Sequence, residues 1–269
     1  MNYQHAYHAG SFADIVKHSL LALLLKHLQK KETPYCYLDT HAGAGCYDLS
    51  APKVQKTGEY LSGVMKLLAH TKNHPACLTP YLNMLQSIDY FIDGKITHYP
   101  GSPDVAEKLR RPQDRLILNE LHPDAHADLQ QYFRRKPNIA IHQRNAYEFL
   151  PAMLPPKEKR GVVLIDPPFE RQSEFQDIHR CLQQSLIRWP TGVYMIWSPI
   201  TGNTPLNPGA MTLQGIEQPI LQLDFMVSPI IPKLSGLVGC RHWFINPPFQ
   251  FEANARALLQ YLKPILKTD

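Results

Sequence analysis

Cysteine is scarce in this sequence, and long apolar runs are missing. The five cysteines among 269 residues (Cys36, Cys46, Cys77, Cys181, Cys240) are odd in number and scattered, and none forms a C-x-x-C pair. A disulfide framework and a zinc site are therefore not expected, and a reducing cytoplasm is the natural setting. No apolar stretch approaches the ~18 residues that span a bilayer; the longest early one runs from Leu20 to Leu25. The opening Met-Asn-Tyr-Gln-His lacks the basic-then-apolar layout of a signal peptide. Neither G-x-G-x-x-G nor G-K-[ST] occurs, which weakens nicotinamide and nucleoside-triphosphate readings. His5-x-x-His8 stands without further clustered ligands, so no metal is expected. There is no internal repeat and no low-complexity tract.

What is present is an ordinary globular composition, 44% hydrophobic and 19% charged, with a net charge of +5. A balance that mild permits a polyanionic partner without requiring one. Ser11 to Asp14 reads as a helix cap before dense helix formers from Ile15 to Leu28, with Lys26, His27, Lys30 and Lys31 at the end a helix dipole prefers for cations. Strand patterns follow at Tyr35 to Asp39, Arg115 to Asn119, Ile139 to Gln143 and Val162 to Ile165, and later at Val193 to Trp197, Ile220 to Val227 and His242 to Ile245. Helical patterns cover Ser102 to Arg111, Ala125 to Arg135, Glu174 to Arg188 and Glu252 to Leu262. This alternation predicts an α/β fold with a mostly parallel sheet and an antiparallel last strand. Between residues 50 and 98 the character changes to helical patterns at Glu59 to Ala69 and Tyr81 to Ile92. The expected organisation is one domain from residues 1–49 and 99–269, with a helical insertion at 50–98.

Three strand ends carry candidate chemistry. Leu38-Asp-Thr-His-Ala-Gly-Ala-Gly45 places small residues where a strand turns toward a ligand at its carboxyl end. Taken by itself, it is equally a tight turn. Leu116-Ile-Leu-Asn-Glu120 ends a second strand in a carboxylate that can accept both hydroxyls of a ribose. Only an insertion reconciles its distance from Gly45 with a βαβ unit.

The most informative stretch is Val162-Val-Leu-Ile-Asp-Pro-Pro-Phe169. The lone pair of an adenine N6 amine is delocalised into the ring, so methylating it requires acceptors that hold its hydrogens. Asp166 and the carbonyl of Pro167 can supply two, and the paired prolines stiffen the turn that aims them. Phe169 offers a face on which an unstacked base can lie. Trp243-Phe-Ile-Asn-Pro-Pro-Phe249 has the same shape with Asn246 for Asp. Asp166 closes the fourth strand of the α/β series, whereas Asn246 closes the last, so Asp166 is assigned as catalytic and Asn246 to a structural turn.

With these residues assembled, the chain resembles the RlmJ family of adenine-N6 methyltransferases of large-subunit ribosomal RNA. The resemblance rests on Tyr3-Gln-His5 to Gly10, Ala13-Asp-Ile-Val-Lys-His18, the Asp39 to Gly45 loop, Thr57-Gly-Glu-Tyr60, Tyr99-Pro-Gly-Ser-Pro103, Glu120-Leu-His-Pro123, Arg160 to Glu170 and Ile245-Asn-Pro-Pro248. It implies a Rossmann-like methyltransferase fold and S-adenosyl-L-methionine as cofactor, the Gly-rich loop holding the methionine part. Cofactor contacts are implied at His18, His41, Ser102, Glu120, Asn145, Ala146 and Asp166, and proximity to the target adenosine at Tyr3, His5 and Lys17. Phe169 stands where the family usually has Tyr, and Asn145 where it usually has Asp. The implied partner is ribosomal RNA, protein-free or early in assembly, acted on by a monomer without metal or membrane. A DNA adenine methylase shares the catalytic residues but would carry a larger sequence-reading domain; a non-catalytic RNA-binding protein would not need Asp166-Pro-Pro with Glu120.

Overall fold

The computed structural model describes residues 4–171, 173–202, 213–230 and 236–267. Seven strands form its main sheet: β1 (Cys36–Asp39), β2 (Arg115–Asn119), β3 (Ile139–His142), β4 (Gly161–Ile165), β5 (Val193–Thr201), β6 (Ile220–Met226) and β7 (Leu237–Ile245). Their spatial order is β6-β7-β5-β4-β1-β2-β3. All pairings from β3 to β5 are parallel, while β7 runs antiparallel to both β5 and β6. The antiparallel last strand is thus inserted between its two predecessors rather than added at an edge. The order reverses at β1, and the carboxyl ends of β1, β2 and β4 flank the crevice where open α/β sheets bind ligands.

Among the described residues six longer helices cover the sheet: α1 (Phe12–Leu28), α2 (Ser102–Leu109), α3 (Pro123–Phe133), α4 (Ala146–Met153), α5 (Glu174–Arg188) and α6 (Phe251–Leu266). Ser11 caps α1 by accepting a hydrogen bond from the Asp14 amide. Its apolar residues do not keep to one face, and it is buried along almost its whole length, as an all-round apolar helix must be. That burial carries Asp14, Lys17 and His18 into the interior with it.

Residues 50–98 hold the short helices Pro52–Thr57, Glu59–Ser62, Val64–Ala69 and Thr79–Leu85, then a hairpin of Phe91–Ile92 and Lys95–Ile96. The helical pattern from Glu59 to Ala69 is broken at Gly63, because Gly63 packs on the Gly10 carbonyl: a Cβ there would lie 2.0 Å from that oxygen. Val54, Val64, Leu67, Tyr81 and Leu82 pack in one core with α1, α6 and one face of the sheet; a second core under α4 and α5 covers the other face.

Candidate active site

The carboxyl ends of β1, β2 and β4 and the N-terminal half of α1 converge on one crevice. After β1, Gly43 turns with φ +63°, and a Cβ on it would lie 2.2 Å from the Tyr47 hydroxyl, so the loop demands glycine. The Gly43 amide donates to Glu120 Oε2 and the His122 amide to Glu120 Oε1, both at 2.8 Å. The carboxylate after β2 is thereby fixed in orientation while still lining the cleft. Asp39, fully buried, accepts from the Tyr37 hydroxyl at 2.5 Å, from Ser102 Oγ at 2.7 Å and from the His41 amide at 3.2 Å. Burial pushes its carboxyl up to about 6 against those bonds.

His18 is completely buried. Its Nδ1 lies 2.8 Å from the Tyr99 hydroxyl, which in turn meets the Tyr81 hydroxyl at 3.0 Å. Its Nε2 has no hydrogen-bond partner among the described residues and faces Asp14 at 3.9 Å. Burial depresses the imidazole to about 3, and that of His41 to about 4, so both rings are neutral at physiological pH.

Asp166 follows β4. Its Oδ2 accepts from Lys17 Nζ at 2.6 Å, and among the described residues Lys17 is its one hydrogen-bond partner. The same ammonium lies 3.0 Å from Asp14 Oδ1. Asp14 Oδ2 in turn accepts from the Gly10 amide and meets His5 Nε2, each at 3.0 Å. Burial works against ionising Asp14, but His5, Lys17 and His18 around it hold its carboxyl well below the usual range. A chain of polar contacts therefore runs from Asp166 through Lys17 and Asp14 to His5.

Two cavities meet at Asp166 and Lys17. The first is lined on the β1–β2 side by His18, His41, Gly43, Ser102 and Glu120. The second, about 520 Å³, is lined by His8, Asp14, Glu59, Ser62 and Trp197. His5, Lys17 and Asp166 belong to both.

The residues expected from sequence gather unevenly. His18, His41, Ser102, Glu120 and Asp166 share the first cavity, and His5 and Lys17 stand beside Asp166. Asn145 and Ala146 lie at the carboxyl end of β3, outside the cavity lining; Asn145 Oδ1 caps α4 by accepting from the Tyr147 amide at 2.9 Å. Phe169, with φ +52°, packs its ring 5.0 Å from Phe175 and 6.0 Å from Trp197, one layer behind the second cavity. Tyr3 lies outside the described residues. The sequence reading assigned no site role to Asp14, which looked like a first-turn helix acid, or to Asp39, His8, Glu59 and Trp197. Asn246 donates to the carbonyls of Pro190 and Gly192 at 2.8 and 2.9 Å, holding the turn before β5. Among the described residues no group of His, Cys, Asp or Glu could hold a metal ion, and no helix is long and apolar enough to cross a membrane.

Comparison with known proteins identifies the family. Residues 32–269 match the family model described as ribosomal RNA large subunit methyltransferase D, RlmJ. Ribosomal RNA large subunit methyltransferase J of Haemophilus influenzae is 36% identical over 99% of this chain and 94% of its own length. Its Escherichia coli K12 namesake is 34% identical over 97% and 92%. A crystal structure of a Legionella pneumophila protein superposes with a TM-score of 0.85 at 32% identity, covering 96% of this chain and 94% of that one. The chain belongs to the RlmJ family of ribosomal RNA large-subunit methyltransferases.

Proposed function

We propose that this methyltransferase transfers a methyl group from S-adenosyl-L-methionine to the exocyclic N6 of an adenine in large-subunit ribosomal RNA. The observation that carries the reading is the place of Asp166, a strand-end carboxylate in the wall shared by two cavities. One cavity suits a nucleoside cofactor and the other a base taken out of its stack.

The residues of the first cavity fit that cofactor. Glu120, already oriented by two amides, retains lone pairs for both ribose hydroxyls. The buried His18 is neutral; with Nδ1 accepting from Tyr99, its otherwise unpartnered Nε2–H points a donor at a carboxylate such as that of the methionine part. Gly43 leaves its backbone open to close approach. His41 and Ser102 complete this wall, and Asn145 with Ala146 would border its adenine end beyond β3. When bound, the cofactor supplies an electrophilic methyl on a sulfonium.

The chain's own residues prepare the nucleophile. Asp166 Oδ1 and the Pro167 carbonyl accept the two N6 hydrogens, which frees the nitrogen lone pair from the ring. Lys17, clamped between Asp14 and Asp166, fixes the carboxylate through Oδ2 and leaves Oδ1 for the amine. His5 borders the base, Phe169 backs it through Trp197, and Tyr3 belongs to the same segment. Residues 50–98 act as a helical insertion subdomain that buttresses this N-terminal segment. Because a target adenine must be unstacked, protein-free or early-assembly RNA is the better substrate.

The test is transfer of a labelled methyl to protein-free large-subunit RNA, assembled subunits and duplex DNA in parallel, with nucleoside analysis of the product. N6-methyladenosine from the RNA is expected. Label on another nucleoside, or preference for duplex DNA, overturns the reading.

A further inference from the structure

The Thr57-Gly-Glu-Tyr60 segment has no role in the chemistry above, yet it delivers a carboxylate to the second cavity. Gly58 turns with φ +63°, and Thr57 Oγ donates to the Tyr7 carbonyl. Glu59 Oε1 then meets His8 Nδ1 at 2.9 Å. The two residues are 51 positions apart, and both line the 520 Å³ cavity that also holds Lys17 and Asp166. Exposure gives the cavity a direction. The side chains of Lys17 and Asp166 are 5% and 14% exposed, whereas those of His8 and Glu59 are 44% and 36% exposed. Lys17 and Asp166 form the floor, and His8 with Glu59 the mouth.

A nucleotide that enters base first, with its N6 amine at Asp166, leaves its sugar and phosphate at that mouth. The chemistry of the pair matches them. A carboxylate accepts from a hydroxyl, which RNA has at the 2′ position and DNA lacks. The Glu59 hydrogen bond raises the affinity of His8 for a proton, and an imidazolium there is a donor toward phosphate.

We infer that Glu59, held by His8, accepts a hydrogen bond from the 2′-hydroxyl of the target nucleotide and so makes the enzyme select ribose over deoxyribose at that position. This inference rests on the adenine-N6 reading, and its test separates the two.

Single-turnover methylation is measured on an RNA hairpin containing the target adenosine and on the same hairpin with one 2′-deoxyadenosine there. Both are run with the wild-type enzyme and with Glu59→Ala, Glu59→Gln and His8→Gln. Each enzyme is scored by the ratio of its own two rates, so a partly folded variant lowers both rates and leaves the ratio intact. The wild type should prefer the ribose by about tenfold, the worth of one hydrogen bond to a charged group. Glu59→Ala should bring the ratio near one, mainly by slowing the ribose substrate, while Glu59→Gln, which retains an acceptor oxygen, and His8→Gln should fall between. An undiminished ratio in Glu59→Ala, or no ribose preference in the wild type, overturns the inference while leaving N6 methylation standing. Absence of N6-methyladenosine from the wild-type reaction overturns the underlying reading instead.

Discussion

Asp166 and Asn246, each followed by Pro-Pro-Phe, stand at opposite rims of one sheet. Asp166 follows Ile165, which pairs with Ile196, so it lies at the carboxyl end of β4 beside the cavities. Asn246 follows Ile245, which pairs with Tyr194 and Ile220 near the starts of β5 and β6. Along β5 the two loops are separated by about four residues, or ~13 Å of strand. The antiparallel course of β7 turns the same Pro-Pro-Phe run into a part with a different use.

Asn246→Ala should therefore act on stability and leave catalysis alone. It removes two hydrogen bonds, to the carbonyls of Pro190 and Gly192, and leaves an alanine at φ +56°. Together these cost about 1–3 kcal/mol. A melting temperature lower by several degrees is expected, with an unchanged methylation rate per folded molecule. A normal melt with lost turnover would place Asn246 in the active site.

Glu120→Ala should weaken binding of the cofactor, read by calorimetry with S-adenosylhomocysteine, by about 1–3 kcal/mol. The loss has two parts, because the carboxylate also organises the Gly43 and His122 amides. Glu120→Gln retains an acceptor oxygen and should lose less. Equal affinity in Glu120→Ala and the wild type would remove Glu120 from the ribose site.

The sequence made the sheet legible because its strands are short apolar runs with acids or turns at their ends, and Asp166 and Glu120 are such ends. Helix α4 was not legible: Pro151 lies inside Ala146–Met153 and reads as a breaker. Helix α6 likewise continues past Leu262 through Pro264, carrying Leu266 into the core. Local pattern also ran through Gly63, whose break depends on contact with Gly10 fifty-three residues earlier. Asp14 and the His8–Glu59 pair were hidden for the same reason, since their partners are chosen by tertiary packing. Asp14 occupies a first helical turn, where an acid needs no further explanation than the helix dipole.

Acid should destabilise the protein from an identifiable cause. His242, fully buried in β7, has no hydrogen-bond partner on either ring nitrogen among the described residues, and burial holds it down to about 3. The unfolded chain takes up that proton near pH 6.5, so stability is complete above 6.5 and is lost as pH falls toward 3. The slope is about 1.4 kcal/mol per pH unit per histidine. His18 and His41 add to it, with values of about 3 and 4. Asp39, raised to about 6, opposes them as pH falls from 6 to its ordinary value. Thermal melts from pH 7 to 4.5 should decline, and His242→Phe should decline less steeply by one histidine's share. An identical slope in the variant would mean that the folded state protonates His242.

The last prediction concerns the acceptor itself. Asp166→Ala removes the group proposed to hold the N6 hydrogen, and under that proposal the loss belongs to the transition state more than to binding. The single-turnover rate should fall by about 10²–10⁴-fold. The fold should survive, because Lys17 keeps Asp14 at 3.0 Å and is not left as an uncompensated buried charge. Asp166→Asn retains an acceptor oxygen but gives up the ion pair with Lys17 at 2.6 Å, so its rate should lie between those of Asp166→Ala and the wild type. Phe169→Tyr keeps the ring against Phe175 and Trp197 and should be tolerated, whereas Phe169→Ala should loosen Trp197 at the second cavity and raise KM for RNA. Single-turnover rates, cofactor titrations and melts of all four variants decide the matter. A near-normal rate in Asp166→Ala would move the acceptor elsewhere, and His5, shared by both cavities, would then be the first residue to substitute.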